Sequence, residues 1–273
     1  MPRHQPATQL LTSNTRPRIL ITGGSGRIGA LLAASLRTRY DLILLDRRPS
    51  ADPTLPFIHA DIGQADALAP HFQGIDTVFH LAADPRPAAP WDSIFPNNIV
   101  GALNVFRAAC TAGCRRVIFA SSLHVVLGYS PHIFIDSHMP PRPANLYGVS
   151  KAWGEVLARE YAAASDTSIL CVRIGYLLAP DAAVFTPRHP HLDQALTPRD
   201  LVGILSACIA APDHLRFGIY HVVSQRPSQR FDMRPAVADL GFVPQDDART
   251  LAWRNPRGML RRVKARLRRY RRR

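Results

Sequence analysis

The sequence is short of several things, and each shortage narrows what it encodes. Only four of its 273 residues are cysteine (Cys110, Cys114, Cys171 and Cys208), too few for a disulfide scaffold in a chain of this size. Cys110 and Cys114 are followed by no second pair at zinc-site spacing, so reduced thiols, a cytoplasmic setting and no metal are expected. No stretch approaches the roughly 18 uninterrupted apolar residues of a membrane-spanning helix. The opening residues, MPRHQPATQLLTSNTR, lack the apolar core of a secretory signal. Acids are missing from residues 254–273, where eleven of the 34 Lys and Arg residues gather. The formal charge of +14 is therefore a property of that tail, since the remainder sets 23 bases against 20 acids and shows no compositional sign of a nucleic-acid surface. Lysine is nearly missing as well: Lys151 and Lys264 are the only two, and arginine serves elsewhere.

What is present reads as an ordinary globular balance, 47% apolar and 20% charged. Short continuous apolar runs at 18–22, 42–45, 57–61, 76–80, 116–120, 168–173 and 218–223 read as strands covered on both faces. Helical stretches lie between them, with Ile28, Leu32 and Leu36 on one face of the first, and further helices at 98–113, 148–164 and 199–211. Strands alternating with helices predict an α/β fold, a Rossmann-type doubly wound parallel sheet with a small C-terminal substrate-binding region. Residues 17–250 are expected to form one such domain, with substrate-side segments at about 123–146 and 176–235. Residues 1–16 are expected to be a disordered extension and 251–273 a basic tail. Proline clusters at 131–143 and 180–198 follow the C-terminal ends of strands, where open α/β sheets bind ligands.

Two motifs carry chemistry. The first, Gly23-x-x-Gly26-x-x-Gly29, lies between a strand and a helix. Glycines there permit a tight turn and close approach of a pyrophosphate to the helix N-terminus. Asp46 ends the second strand twenty residues after Gly26, where a carboxylate binds the adenosine ribose and disfavours a 2′-phosphate. That favours NAD; Arg27, Arg47 and Arg48 leave NADP open. The second motif is Tyr147-Gly-Val-Ser-Lys151. Positions four apart share a helix face, so phenol and ammonium can reach one site, and a nearby ammonium is expected to lower the tyrosine pKa toward neutrality. In a chain with two lysines, one stands where arginine would not serve. Ser121 and Ser122 close the fifth strand. The histidines of RHPH, His189 and His191, read as loop residues rather than metal ligands.

Together these pieces resemble the extended short-chain dehydrogenase/reductase superfamily, the NAD-dependent epimerase/dehydratase family. The matching segments are TGGSGRIG at 22–29, DLILLD ending at Asp46, HADI around Asp61, HLAA at 80–83, NIVG at 98–101, FASS at 119–122 and YGVSK at 147–151. FASSLH, LYGVSKAWGE and VRIG look most like the uronate dehydrogenase subgroup. The resemblance implies Tyr147 as acid/base, Lys151 on the nicotinamide ribose, and Ser122 orienting the reacting oxygen. It implies a cofactor site of Gly23, Gly26, Arg27, Ile28, Gly29, Asp46 and Arg47, with Asp61 and Ile62 at the adenine, Leu81, Ala82 and Ala83 along the cofactor, and Asn98 in support. At the substrate positions it places Leu123, His124, Tyr176, Phe185 and Arg188, several of which depart from the subgroup's polar contacts.

The resulting expectation is hydride transfer between nicotinamide and a hydroxyl or carbonyl of a small sugar or sugar-acid-like substrate. Alternatives are a sugar epimerase or dehydratase that retains its NAD, and a dinucleotide sensor whose tail is the effector. The family also implies a homodimer through the helices at 98–113 and 148–164. Leu260, Val263, Leu267 and Tyr270 line one face of the basic tail, which could remain solvated or contact anionic lipid or nucleic acid.

Overall fold

A computed structural model describes residues 16–178, 192–224 and 230–247; the N-terminal extension, the RHPH histidines, Phe185, Arg188 and the basic tail lie outside the described residues. The chain runs β1 (Arg18–Thr22), α1 (Arg27–Leu36), β2 (Asp41–Asp46), β3 (Phe57–His59), α2 (Ala65–Leu68), β4 (Thr77–His80), α3 (Trp91–Ile94) and α4 (Gly101–Thr111). It continues through β5 (Arg116–Ser122), α5 (Leu146–Ala164), β6 (Ser168–Ile174), β7 (Tyr176–Leu177), β8 (Ala195–Leu196), α6 (Pro198–Ala210), β9 (Phe217–Val222) and α7 (Arg234–Leu240). Seven strands form one parallel sheet in the order β3-β2-β1-β4-β5-β6-β9. The chain moves outward from β1 to β3, then returns to place β4 on the other side of β1. That reversal opens a crevice above the C-terminal ends of β1 and β4, where doubly wound sheets bind ligands.

Alternation along the strands explains why both faces are covered. Ile19, Ile21, Leu42, Leu44, Ile118, Leu170 and Val172 point into one buried layer. Leu20, Leu45, Val78, Val117, Phe119, Ile169 and Cys171 point into the other. Side chains of period two with apolar residues at every position need helices on both sides. Arg116 is fully buried at the base of β5 and donates to the carbonyls of Cys208, Ile209 and Ala211 at 2.9, 3.1 and 2.7 Å. It thereby satisfies the carbonyls at the end of α6 that have no partner within the helix.

The helix expected at 98–113 begins earlier and is not regular. Pro96 does not stop it; between α3 and α4 the segment Phe95–Val100 widens into π geometry, and Gly101 N–H reaches back five residues to the Pro96 carbonyl. The wider turn absorbs the missing proline N–H without ending the helix. The third strand is shorter than expected, ending at His59.

Candidate active site

The dinucleotide side is built largely from backbone. Gly23 has φ +72°, and a Cβ there would stand 2.7 Å from the Ala82 nitrogen. Any side chain would be strained and would push β1's turn away from the β4 loop. A Cβ at Gly29 would meet the Gly23 carbonyl oxygen at 2.5 Å. Gly26 is the N-cap of α1 and offers no side-chain oxygen to its first N–H groups, which leaves donors and the positive end of the helix dipole for an anion. Asp46 lines the same cavity. Its carboxylate accepts the N–H of Ser25 at 3.1 Å and of Arg48 at 3.0 Å, so β2's end is locked to the glycine turn. This cavity of about 610 Å³ is lined by Gly23, Gly26, Arg27, Ile28, Asp46 and Arg47 among others. A glycine cradle, an open helix N-terminus and a rim carboxylate together fit an adenine dinucleotide.

A second cavity of about 360 Å³ adjoins it. Arg27, Ile28, Leu81, Ala83, Pro85 and Leu177 belong to the walls of both. Ser122, Tyr147 and Lys151 converge on the second cavity. Ser122 comes from the end of β5; Tyr147 and Lys151 lie one turn apart on α5. α5 approaches because residue 148 is glycine: a Cβ there would stand 2.3 Å from the His124 carbonyl oxygen. Asn145 caps the helix, its Oδ1 accepting the Gly148 N–H at 2.9 Å. That cap fixes the amide orientation, so Nδ2 donates to His124 Nδ1 at 2.9 Å, and the proton of the neutral imidazole sits on Nε2.

Tyr147 is 9% exposed and Lys151 3%. Burial pushes the Tyr147 phenol up to about 12, a hydrogen bond with Ser122 pulls it back, and the Asp84 carboxylate pushes it further up. This differs from the lowering expected from sequence. The ammonium lies over the Phe119 ring at 4.8 Å and the Tyr147 ring at 5.8 Å from the centroids. Lys151 is itself drawn down to about 8 by burial, with Cys171 and Glu155 opposing. For both groups desolvation is the largest influence on the shift.

The other expected residues fall into three groups. Ile62, Leu81, Ala82 and Ala83 line the dinucleotide cavity, and Leu123, His124 and Tyr176 line the second. Asp61 is turned aside: its carboxylate accepts the Gly63 N–H at 2.8 Å and pairs with Arg47 at 3.5 Å, in a local turn. Asn98 lies behind the wall, because the π turn presents Asn97 to the cavity instead. Asn98 Oδ1 accepts the Asp84 N–H at 2.7 Å, and its Nδ2 donates to the Asp84 carbonyl at 3.1 Å and to Ser150 Oγ at 3.0 Å. It holds the β4–α3 loop against α5. Phe185 and Arg188 lie outside the described residues.

Sequence reasoning missed Asn145, whose place just before a helical run is the ordinary signal of an N-cap. It missed Pro85 and Pro87, which wall the second cavity after β4, although a proline-rich stretch after a strand is a recognisable sign. Gln194 and Leu127 gave no sequence signal. Among the described residues no group of three or more His, Cys, Asp or Glu is placed to hold a metal, and no described helix is long and apolar enough to cross a membrane.

Comparison with known proteins agrees with this architecture. The family model described as the NAD dependent epimerase/dehydratase family matches residues 19–201. The NAD-dependent glucose-6-phosphate dehydrogenase of Haloferax volcanii is 36% identical over 84% of this chain and 94% of its own. The uronate dehydrogenase of Pseudomonas putida is 29% identical over 88% of each. Among solved structures, a mutant of uronate dehydrogenase from Agrobacterium tumefaciens complexed with NAD superposes with a TM-score of 0.76 at 29% identity, covering 86% of this chain and 87% of that one. A match over more than half of the length settles the family: the chain belongs to the NAD dependent epimerase/dehydratase family.

Proposed function

We propose that this protein is an NAD-dependent dehydrogenase that oxidises a hydroxyl of a sugar or sugar-acid-like molecule, or reduces the corresponding carbonyl. The observation that carries this reading is the convergence of Ser122, Tyr147 and Lys151 on a cavity that shares a wall with the dinucleotide cavity. Arg27, Asp46 and the first N–H groups of α1 would hold NAD. When bound, it supplies the nicotinamide that accepts or gives the hydride. Ser122 holds the reacting oxygen, and the Tyr147 phenol takes or returns its proton. Lys151 places its positive charge beside the phenol and favours the ionised form. Among the described residues, the lining of the second cavity contains Arg27, Lys151 and His124 but no carboxylate, which suits a hydroxylated substrate that is neutral or anionic. Relatives named for glucose 6-phosphate and for uronates support that range. Asp46 at the rim supports NAD over NADP.

The test is to supply NAD⁺ or NADP⁺ with a panel of aldoses, uronates and sugar 6-phosphates and to record reduced-nicotinamide absorbance. Reduction with NAD⁺ on at least one sugar is expected. Silence across the panel, with NADH binding confirmed by fluorescence, would overturn the reading.

The partner we propose is a second copy of the chain. Leu146, Val149, Trp153 and Val156 follow one another at three, four and three residues along α5 and are 47, 45, 40 and 63% exposed. Trp91 and Phe95, 5.3 Å apart, extend the apolar surface from the neighbouring α3 turn. An exposed apolar stripe of this continuity is characteristic of an interface. Sedimentation should give a dimer, and Trp153→Glu should give a monomer; a wild-type monomer at micromolar concentration would refute it.

A further inference from the structure

Behind Ser122, Tyr147 and Lys151 lies a buried polar chain that the reaction as described does not touch. Ser121 Oγ donates to Glu155 Oε1 at 2.6 Å. Arg173 Nε donates to the same oxygen and Nη2 to Oε2, both at 2.8 Å. Arg173 Nη1 stands 3.1 Å from His221 Nε2, and His221 Nδ1 stands 3.3 Å from the Asp232 carbonyl. A guanidinium can only donate, so Nε2 accepts and the proton of the neutral ring lies on Nδ1, directed at that carbonyl. Asp232 N–H then donates to the Ile135 carbonyl at 2.8 Å, and Ile135 N–H to the Arg230 carbonyl at 2.6 Å. Ser121, Glu155, Arg173 and His221 are each no more than 3% exposed.

The chain of contacts thus runs from the end of β5 through α5, β6 and β9 to the paired segments around Ile135 and Asp232. Tyr147, Lys151 and Glu155 succeed one another at four-residue steps, on one face of α5. Both oxygens of Glu155 are held from outside the helix, by a residue adjacent to Ser122 and by a bidentate arginine. A bidentate fork fixes direction as well as distance. Apolar residues could fill this layer at no loss of stability, because removing two charges from water offsets most of what their pairing returns. Its effect lies in geometry: it fixes the rotation of α5 about its own axis relative to β5 and β6.

We infer that Glu155 and Arg173 are a positioning pair, which sets where Lys151 and Tyr147 stand relative to Ser122 and ties that setting, through His221 and Asp232, to the substrate-side segment around Ile135 and Phe231. The effect on turnover rests on the dehydrogenase reading above; the effect on Lys151 does not. The groups facing the ammonium are Glu155 from α5, Cys171 from β6, His80 from β4 and the rings of Phe119 and Tyr147.

The chain's two lysines make a direct test available. Protein labelled with ¹³C at lysine Cε gives two resonances to titrate, with Lys264 as the internal control. Glu155→Gln is expected to lower the titration midpoint of Lys151 and leave Lys264 in place. In the same variant kcat should fall about 10- to 100-fold, the scale of a displacement near 1 Å, while the dissociation constant for NADH stays within about twofold of wild type. Glu155→Asp, which keeps the charge and shortens the reach, should restore the Lys151 midpoint but only part of kcat. Should Glu155→Gln fail to fold, Ser121→Ala and His221→Gln remove the two ends of the chain without removing a charge. Each should lower kcat severalfold with KM for the sugar little changed and the melting temperature close to wild type. An unmoved Lys151 midpoint in Glu155→Gln, or folded end variants with wild-type kcat, overturns the inference. A wild-type protein that turns over no sugar breaks the dehydrogenase reading instead and leaves the lysine titration standing.

Discussion

The two cavities are adjacent but made differently. The dinucleotide cavity is shaped by main chain: a left-handed glycine, a helix N-terminus and a carboxylate fastened to backbone N–H groups. The second cavity is shaped by side chains delivered from β5, α5 and the turns after β4, β6 and β7. A main-chain site tolerates few changes and demands glycine at fixed places, because its chemistry comes from N–H groups that every residue has. A side-chain site can be re-specified one residue at a time on the same frame. This suits a chain whose relatives are named for uronates and for glucose 6-phosphate.

That contrast can be broken in measurable ways. The largest effect belongs to Tyr147→Phe, which keeps the ring and removes the hydroxyl proposed to carry the proton. It should lower kcat by about 10²- to 10⁴-fold with NADH affinity unchanged; retained turnover would remove Tyr147 from its role. Next is Gly23→Ala on the main-chain side. The left-handed backbone alone costs a non-glycine residue about 1–2 kcal/mol, and the Cβ meets backbone atoms of Leu81 and Ala82. NADH affinity should drop by about tenfold or more, and the melting temperature should fall with it. If fluorescence titration shows wild-type affinity, the turn is not the cradle described.

The last effect concerns stability in acid, and it samples both halves. His80 at the dinucleotide end and His221 on the substrate side are each pushed down to about 3, chiefly by burial, with the charges of Lys151 and Arg173 respectively adding to it. Each is neutral in the folded protein and protonates near 6.5 once unfolded. The unfolded state therefore binds the extra protons, and stability present above pH 6.5 is lost as the pH falls toward 3. Each histidine should contribute about 1.4 kcal/mol per pH unit within that window. Denaturant melts between pH 7 and 4.5 should show the loss, and His221→Gln should remove about half of the slope; an unchanged slope would mean that His221 does not titrate on unfolding.

The same contrast explains what was legible beforehand. The alternation of strands and helices, the glycine turn, Asp46 and the Tyr147–Lys151 step could be read because each depends on local spacing or on one residue type that no other replaces. The reversal of the Tyr147 shift was not legible: it depends on how completely Ala89, Ile94 and Ile99 bury Tyr147, a property of tertiary packing. The supporting place of Asn98 could be read, but that Asn97 faces the cavity could not, because the π turn at Phe95–Val100 has no reliable sequence mark. The Ser121–Glu155–Arg173–His221 chain was invisible because its members lie 18 to 48 residues apart. Only the continued four-residue step from Lys151 to Glu155 hinted at it.

The shared wall has a kinetic meaning. Arg27, Ile28, Leu81, Ala83, Pro85 and Leu177 are floor to one cavity and side to the other, so a dinucleotide lying in the first completes the surface that a sugar meets in the second. Under the proposed dehydrogenase reading, binding is expected to be ordered, dinucleotide before sugar. In that reading a carbohydrate at high concentration is expected to slow turnover by holding the spent dinucleotide beneath it rather than by competing for its place.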